Sequence, residues 1–309
     1  MSLKTLLRGI AWSMLAVFIF SGWFVATRFS VTHELRVWDV LALRFGVGAV
    51  LLAPVLVAKR QRLRQRAGEG LLYAFLWGAP FVLLLTLGLQ LTSAAQSSAV
   101  TPTLMPLFAG LIGYFVLKQA LGWSKLLSYA VIIAGMAILV FLQPVKDLHA
   151  NPWGFLPLTG AALIWAIYTV RFRRSDLSPL EAATLLCMWS AVIYMPLYVL
   201  LGLSRLELAS ASELLLQAFY QGVLMSVVAI TSFNRAVTLI GPRAAAAIIA
   251  AVPVLSALLA IPFIGEIPTA SGAIAIAMIA FGVVLGAWPP KRAATPAVAH
   301  EDAAAHTGR

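Results

Sequence analysis

The chain has 309 residues, 61% hydrophobic and 11% charged, whereas a soluble domain carries about a quarter charged residues, so water cannot be the solvent for most of its surface. The net charge of +11 does not point to nucleic acid, because the basic residues fall in short clusters between apolar runs and form no continuous face. One cysteine, Cys187, excludes an intrachain disulfide and a thiolate metal cluster.

In chain order, apolar runs near the roughly 20 residues needed to cross a bilayer lie at about 8–27, 38–58, 70–91, 96–117, 124–142, 153–171, 180–202, 213–234, 243–264 and 269–288. The first follows Lys4 and Arg8 and continues to about Thr27 without a small-residue cleavage site, so it reads as a span and not a signal peptide. The stretch 289–309 is Ala, Pro and polar residues without apolar periodicity, and is expected to be a disordered tail.

Cytoplasmic loops hold an excess of Lys and Arg, and the basic residues alternate as ten spans require. With the N-terminus inside, one side holds 17 of the 22: Lys4 and Arg8; Lys59, Arg60, Arg62, Arg64 and Arg66; Lys118 and Lys125; Arg171, Arg173 and Arg174; Arg235 and Arg243; Lys291, Arg292 and Arg309. The other side holds Arg28, Arg36, Lys146 and Arg205, while Arg44 lies within the second span. Both termini are expected in the cytoplasm.

The chain also repeats itself. At an offset of 147, Pro106 falls on Pro253, Gln119 on Glu266 and Gly135 on Gly282. Near an offset of 142, Trp23 and Thr27 match Trp165 and Thr169, Asp39 matches Glu181, and Pro54 matches Pro196. Each copy holds five spans, an odd number, so the second enters the membrane upside down. Such inverted repeats recur in secondary transporters, with the solute site between them.

The stretch Ala94 through Pro106 to Gln119 and Leu121, and its partner from Ala244 through Pro253 to Gly265 and Glu266, resemble the EamA repeat of the drug/metabolite transporter superfamily. Trp23 to Thr27, Leu43-Arg44-Phe45, Gly135 and Gly282 share in the likeness, which covers about residues 8–288. The first copy departs from the pattern, with Lys118 and Gln119 where the second has Gly265 and Glu266. The resemblance implies an all-α polytopic membrane protein of ten helices in two inverted five-helix repeats, 8–142 and 153–288. It further implies an inner-membrane carrier, commonly an exporter of amino acids or other small metabolites.

Candidate solute-binding residues are the aromatic and polar side chains inside spans: Trp23, Thr27, Arg44, Trp77, Gln96, Thr101, Trp165, Tyr168 and Thr169. Trp23 and Trp165 hold matched positions in the first helix of each copy. Arg44 lies about six residues inside its span, where a cation is costly. It either faces a cavity, attracting a substrate carboxylate or shaping an outer gate, or it snorkels or pairs with Asp39. Pro106 and Pro253 each remove a backbone donor, and either bend their helices as a pair of hinges near mid-membrane or merely pack there. Small residues from Gly282 to Gly286 would admit a close neighbour, in the same chain or across a homodimer. Glu266 reads as a capping or pairing group near the outer surface.

No acidic residue falls at mid-membrane, and His33, His149, His300 and His306 lie outside the spans. An intramembrane Ser-His dyad, an HExxH zinc site and a buried carboxylate relay all lack their residues, and no GxxxxGK[ST] phosphate loop occurs. No cofactor or metal is expected; the partners are the lipid bilayer and a small organic solute, not nucleic acid. The reading is therefore a secondary carrier working by alternating access. A non-transporting scaffold or receptor, and an intramembrane enzyme, are the competitors.

Overall fold

The structure, a computed structural model, describes residues 2–116, 118, 122–142, 151–249 and 251–287, with backbone alone at 140, 242, 243, 246 and 287. The expected tail, Gln119 and Leu121 lie outside these residues. The elements are α1 (Leu3–Thr32), α2 (Val37–Ala58), α3 (Arg60–Gln65), α4 (Ala67–Trp77), α5 (Ala79–Leu91), α6 (Ala94–Phe115) and α7 (Trp123–Phe141) in the first half. The second half holds α8 (Phe155–Phe172), α9 (Pro179–Leu200), α10 (Ala211–Gln217), a π-helical segment (Ala218–Ala229), α11 (Ile230–Ile249), α12 (Val252–Ile264) and α13 (Ala270–Ala287).

Eight stretches are long and apolar enough to cross a membrane, and the shorter apolar helices at Trp123–Leu139 and Ala270–Gly286 are the fifth and tenth of the series. At a rise of about 1.5 Å per residue, a helix such as α7 reaches about 28 Å. The fold is thus all-α and polytopic, ten helices in two inverted repeats of five. Local signals fix where helices begin. Ser93 and Ser178 accept from the third backbone N–H of α6 and α9, while the Gln96 and Glu181 side chains reach back to the cap amides.

Two helices run past their sequence boundaries, α1 (Leu3–Thr32 against the expected 8–27) and the eighth span. The eighth span continues beyond 234, and there the exposed Arg235 lays its guanidinium over Trp12, 4.9 Å from the ring centroid. It ends at Gly241, whose φ of 82° is open to glycine and strained for other residues.

Packing follows the pseudo-two-fold. The first helix of each half lies against the fourth of the other (α1 on α11 and α12, α8 on α6), α2 crosses α9, and α7 pairs with α13. In that last pair a Cβ at Gly135 would come 2.7 Å from Ile279, and one at Gly282 would come 2.8 Å from Ile132. Ile132 and Ile279, like the glycines, stand 147 apart, so the two contacts are images of each other. Ser128 donates to the Gly282 carbonyl at 2.6 Å. The glycine face at Gly282 is therefore filled by the chain's own α7.

The third and eighth spans, also repeat-related, are both irregular. The third is cut at Gly78 into α4 and α5. The eighth widens into the π segment. Interruptions at matched positions of two repeats mark the solute region of many carriers.

Candidate functional site

The interrupted spans meet at a cluster of buried rings. Trp77, the last residue of α4, stacks on Trp165 of α8, centroids 5.7 Å apart and 12° from parallel. Phe233 of α11 lies 5.5 Å from both. Phe20 of α1 meets Trp165 edge-on at 6.0 Å, and Tyr168 lies 4.7 Å from Trp77. All five are at most 6% exposed. Both repeats contribute, as a site between inverted repeats requires. Edge-to-face and offset pairs of this kind add about 0.5–1.5 kcal/mol each beyond burial, and here they join α1, α4, α8 and α11.

One turn along α1 from Phe20, a polar chain begins. Trp23 Nε1 donates to Gln221 Oε1 at 2.7 Å; Gln221 Nε2 donates to Thr27 Oγ1 at 2.9 Å and to Gln217 Oε1 at 3.0 Å. Gln217 Nε2 donates to Ser30 Oγ at 2.6 Å, and the Ser30 hydroxyl donates to Glu213. The chain ties α1 to α10 and the π segment through side chains: an indole, two amides, two hydroxyls and a carboxylate. In apolar surroundings each made bond is worth about 0.6 kcal/mol on average, while an abandoned buried donor costs about 1–3 kcal/mol.

Arg44 is 1% exposed, its guanidinium carbon 6.0 Å from the Trp23 ring centroid and 5.8 Å from that of Phe45. Among the described residues its Nε and Nη1 have no hydrogen-bond partner. The pairing with Asp39 is not made. Asp39 instead accepts from Arg36 N at 2.9 Å, Arg205 N at 3.0 Å and the Tyr198 hydroxyl, because it serves as the third residue of α2 and faces the end of α9. Snorkelling is excluded too, since the group is buried.

The ends of the α2/α9 pair are closed by matched acids. At one end Asp39 holds Tyr198 and Arg205. At the other, Glu181 Oε1 accepts from Lys59 Nζ and Arg62 Nε, both at 3.1 Å. Glu266 adds a third tie: Oε1 takes Arg28 Nε at 3.0 Å and Oε2 takes Ala94 N at 2.9 Å, while Arg28 also donates to the carbonyls of Leu89 and Gln90. Its reading as a pairing group holds. A cleft of about 500 Å³ opens beside this tie, lined by Arg28, Phe29, Thr32, His33, Phe263, Ile264 and Glu266.

The structure thus brings together Trp23, Thr27 and Arg44 on one side, and Trp77, Trp165 and Tyr168 on the other. Three candidates fall elsewhere. Gln96 is spent in the cap of α6, Thr101 donates to the Leu158 carbonyl at 3.1 Å, and Thr169 bonds back to the Trp165 carbonyl of its own helix at 2.9 Å. Pro253 is the second residue of α12, where the missing N–H costs no bond within that helix, and it lies just past the change from α11 to α12 inside the apolar stretch Ala247–Ile264. Pro106 does lie inside α6, so the two prolines are not in equivalent settings. Sequence reading missed Phe20, Phe233, Gln217 and Gln221. The glutamines carried a signal, two amides four residues apart in an apolar run; the phenylalanines carried none.

Comparison with known proteins identifies the family and the fold. The model of the EamA-like transporter family matches residues 7–141 and again 152–287. The chain is 26% identical over 231 residues to the uncharacterized transporter YdfC of Bacillus subtilis (strain 168), covering 74% of this chain and 73% of that protein. A solved crystal structure superposes with a TM-score of 0.64 at 21% identity, over 90% of this chain and 95% of the other, which shows a shared fold. With the family model matched twice, once over each five-helix half, the chain belongs to the EamA-like transporter family and is a multi-pass membrane transporter.

Proposed function

We propose that this transporter exports small amphipathic organic metabolites, amino acids or related compounds, across a bacterial inner membrane, by alternating access to a site between its repeats. The observation that carries the reading is the ring cluster of Phe20, Trp77, Trp165 and Phe233, drawn from both repeats and adjoining buried hydrogen-bonding groups. Aromatic walls bind the apolar body of such a solute, and a few polar groups orient it. The matched acids support the cycle. The Glu181 tie and the Asp39 and Glu266 ties close opposite ends of the bundle, so opening one while keeping the other exposes the centre to one side only. Placing the end with Lys59 to Arg66 in the cytoplasm, together with both termini, follows from the excess of basic residues there.

The test is a panel of amino acids, amines and aromatic metabolites, followed both as uptake into proteoliposomes and as export from expressing cells. Saturable movement of at least one solute, faster outward in cells and abolished by Trp165→Ala, is expected. Movement of none, with tight binding of a protein partner, supports a receptor and overturns the proposal.

A further inference from the structure

We infer that the solute is an organic anion with a flat apolar body, its carboxylate held by Arg44 at the break in the third span; this rests on the transport reading above. The argument starts from charge. Burying a cation costs several kcal/mol unless a counter-charge accompanies it. Among the described residues no acid supplies one for Arg44: Asp39, Glu181, Glu213 and Glu266 are each engaged at helix ends. The rings of Trp23 and Phe45 near the guanidinium ease its burial but do not neutralise it.

The surroundings add donors and no acceptor acids. At Gly78 the third span restarts as α5, a helix of 13 residues with no side-chain cap and with Pro80 in its first turn, so the positive end of its dipole sits within the bundle. The Ser190 hydroxyl is 2% exposed, lies where a Cβ of Gly78 would project, and has no partner of its own. Trp165 Nε1 is likewise buried and unpartnered. The antiparallel register of α2 and α9, in which Tyr194 bonds the Trp38 carbonyl and Gly48 faces Cys187, sets Ser190 level with Arg44. Orphaned donors from α2, α8 and α9 and an uncapped helix start therefore gather beside the stacked Trp77 and Trp165. An aromatic or similarly flat carboxylate matches both halves of that surface, with its charge at Arg44 and its ring among the tryptophans. A cationic amine matches neither the charge nor the donors.

The decisive comparison uses three probes with one ring: indole-3-acetate, indole-3-acetamide and tryptamine. Affinity is measured by titration calorimetry on the purified full chain, and movement by counterflow in proteoliposomes. Wild type is expected to bind the carboxylate at least tenfold more tightly than the amide, and tryptamine least. Arg44→Gln should bring the carboxylate down to the level of the amide while the amide is unchanged, and Arg44→Lys should keep part of the preference. Size-exclusion profiles of both variants report folding, and the unchanged amide affinity reports an intact ring site. Equal affinities in wild type, a carboxylate preference that survives Arg44→Gln, or no binding of the carboxylate overturns the inference. Transport of the amide or amine without preference leaves the transport reading standing and the anion assignment wrong. Carboxylate binding lost in Arg44→Gln, with no counterflow in wild type, keeps the binding site and overturns the transport reading.

Discussion

The third and eighth spans stand in equivalent places of the two repeats, and each departs from a regular helix at the same depth. At either repeat offset, Gly78 corresponds to a residue between Tyr220 and Met225, inside the π segment. The means differ. The third span breaks outright at Gly78, ahead of Pro80, and restarts without a side-chain cap beside the ring of Trp77. The eighth keeps a continuous hydrogen-bonded backbone, widens its turns, and sends Gln217 and Gln221 to α1. Among the described residues the break at Gly78 stands beside unpartnered groups, Ser190 and Trp165 of the second half among them, while Gln217 and Gln221 of the eighth span are satisfied and Thr231 and Ser232 farther along it are not. Equivalent positions in a duplicated fold thus share the disturbance and not its chemistry, one built on a satisfied pair of amides and the other on a break flanked by unpartnered donors from both halves.

Breaking that contrast is most direct at Gly78. Its φ is negative, so the constraint is steric: a side chain would strike the Ser190 hydroxyl and the Ala74 carbonyl. Gly78→Val is expected to cost about 1–3 kcal/mol in overpacking and to cut transport below a tenth of wild type, read in proteoliposomes with protein of normal size-exclusion profile. Wild-type rates would mean that the break does not matter. On the satisfied side, Gln221→Leu strands the Trp23 indole N–H and leaves Thr27 without its donor. A loss of about 1–3 kcal/mol, seen as a lower melting temperature in detergent, is expected, and an unchanged Tm removes the structural role of the network. Glu181→Gln should cost less, about 1 kcal/mol at most, because Lys59 and Arg62 are about half exposed and screened; Asp39→Asn, at the matched tie, should differ from it in which side of the membrane cysteine reagents reach first. If both variants label alike, the two ties are not opposite gates. Least of all, Pro253→Ala should leave counterflow within twofold of wild type, since the first turn of α12 needs no donor there.

Much of the architecture was legible in the chain. Ten apolar runs near bilayer length, an alternating Lys and Arg bias, and repeats at offsets of 142 and 147 yield ten helices in two inverted halves without any coordinates, because in hydrocarbon each helix must satisfy its own backbone and so is written locally. The candidate site was legible in part. Trp23, Trp77, Trp165 and Arg44 stood out as costly or bulky groups in apolar runs. Gln96 and Thr169 stood out equally, and only their hydrogen bonds show that one caps its helix and the other closes on its own carbonyl.

By itself, then, the sequence determined the number of helices, their inverted pairing and their transporter family, since these depend on periodicity, length and repetition along one chain. Tertiary structure alone decided which polar groups have partners. Trp23 is satisfied by Gln221, 198 residues away, whereas two nitrogens of Arg44 have no partner among the described residues. Satisfaction of a buried donor depends on what packs across from it, a property of two helices that neither carries in its own pattern.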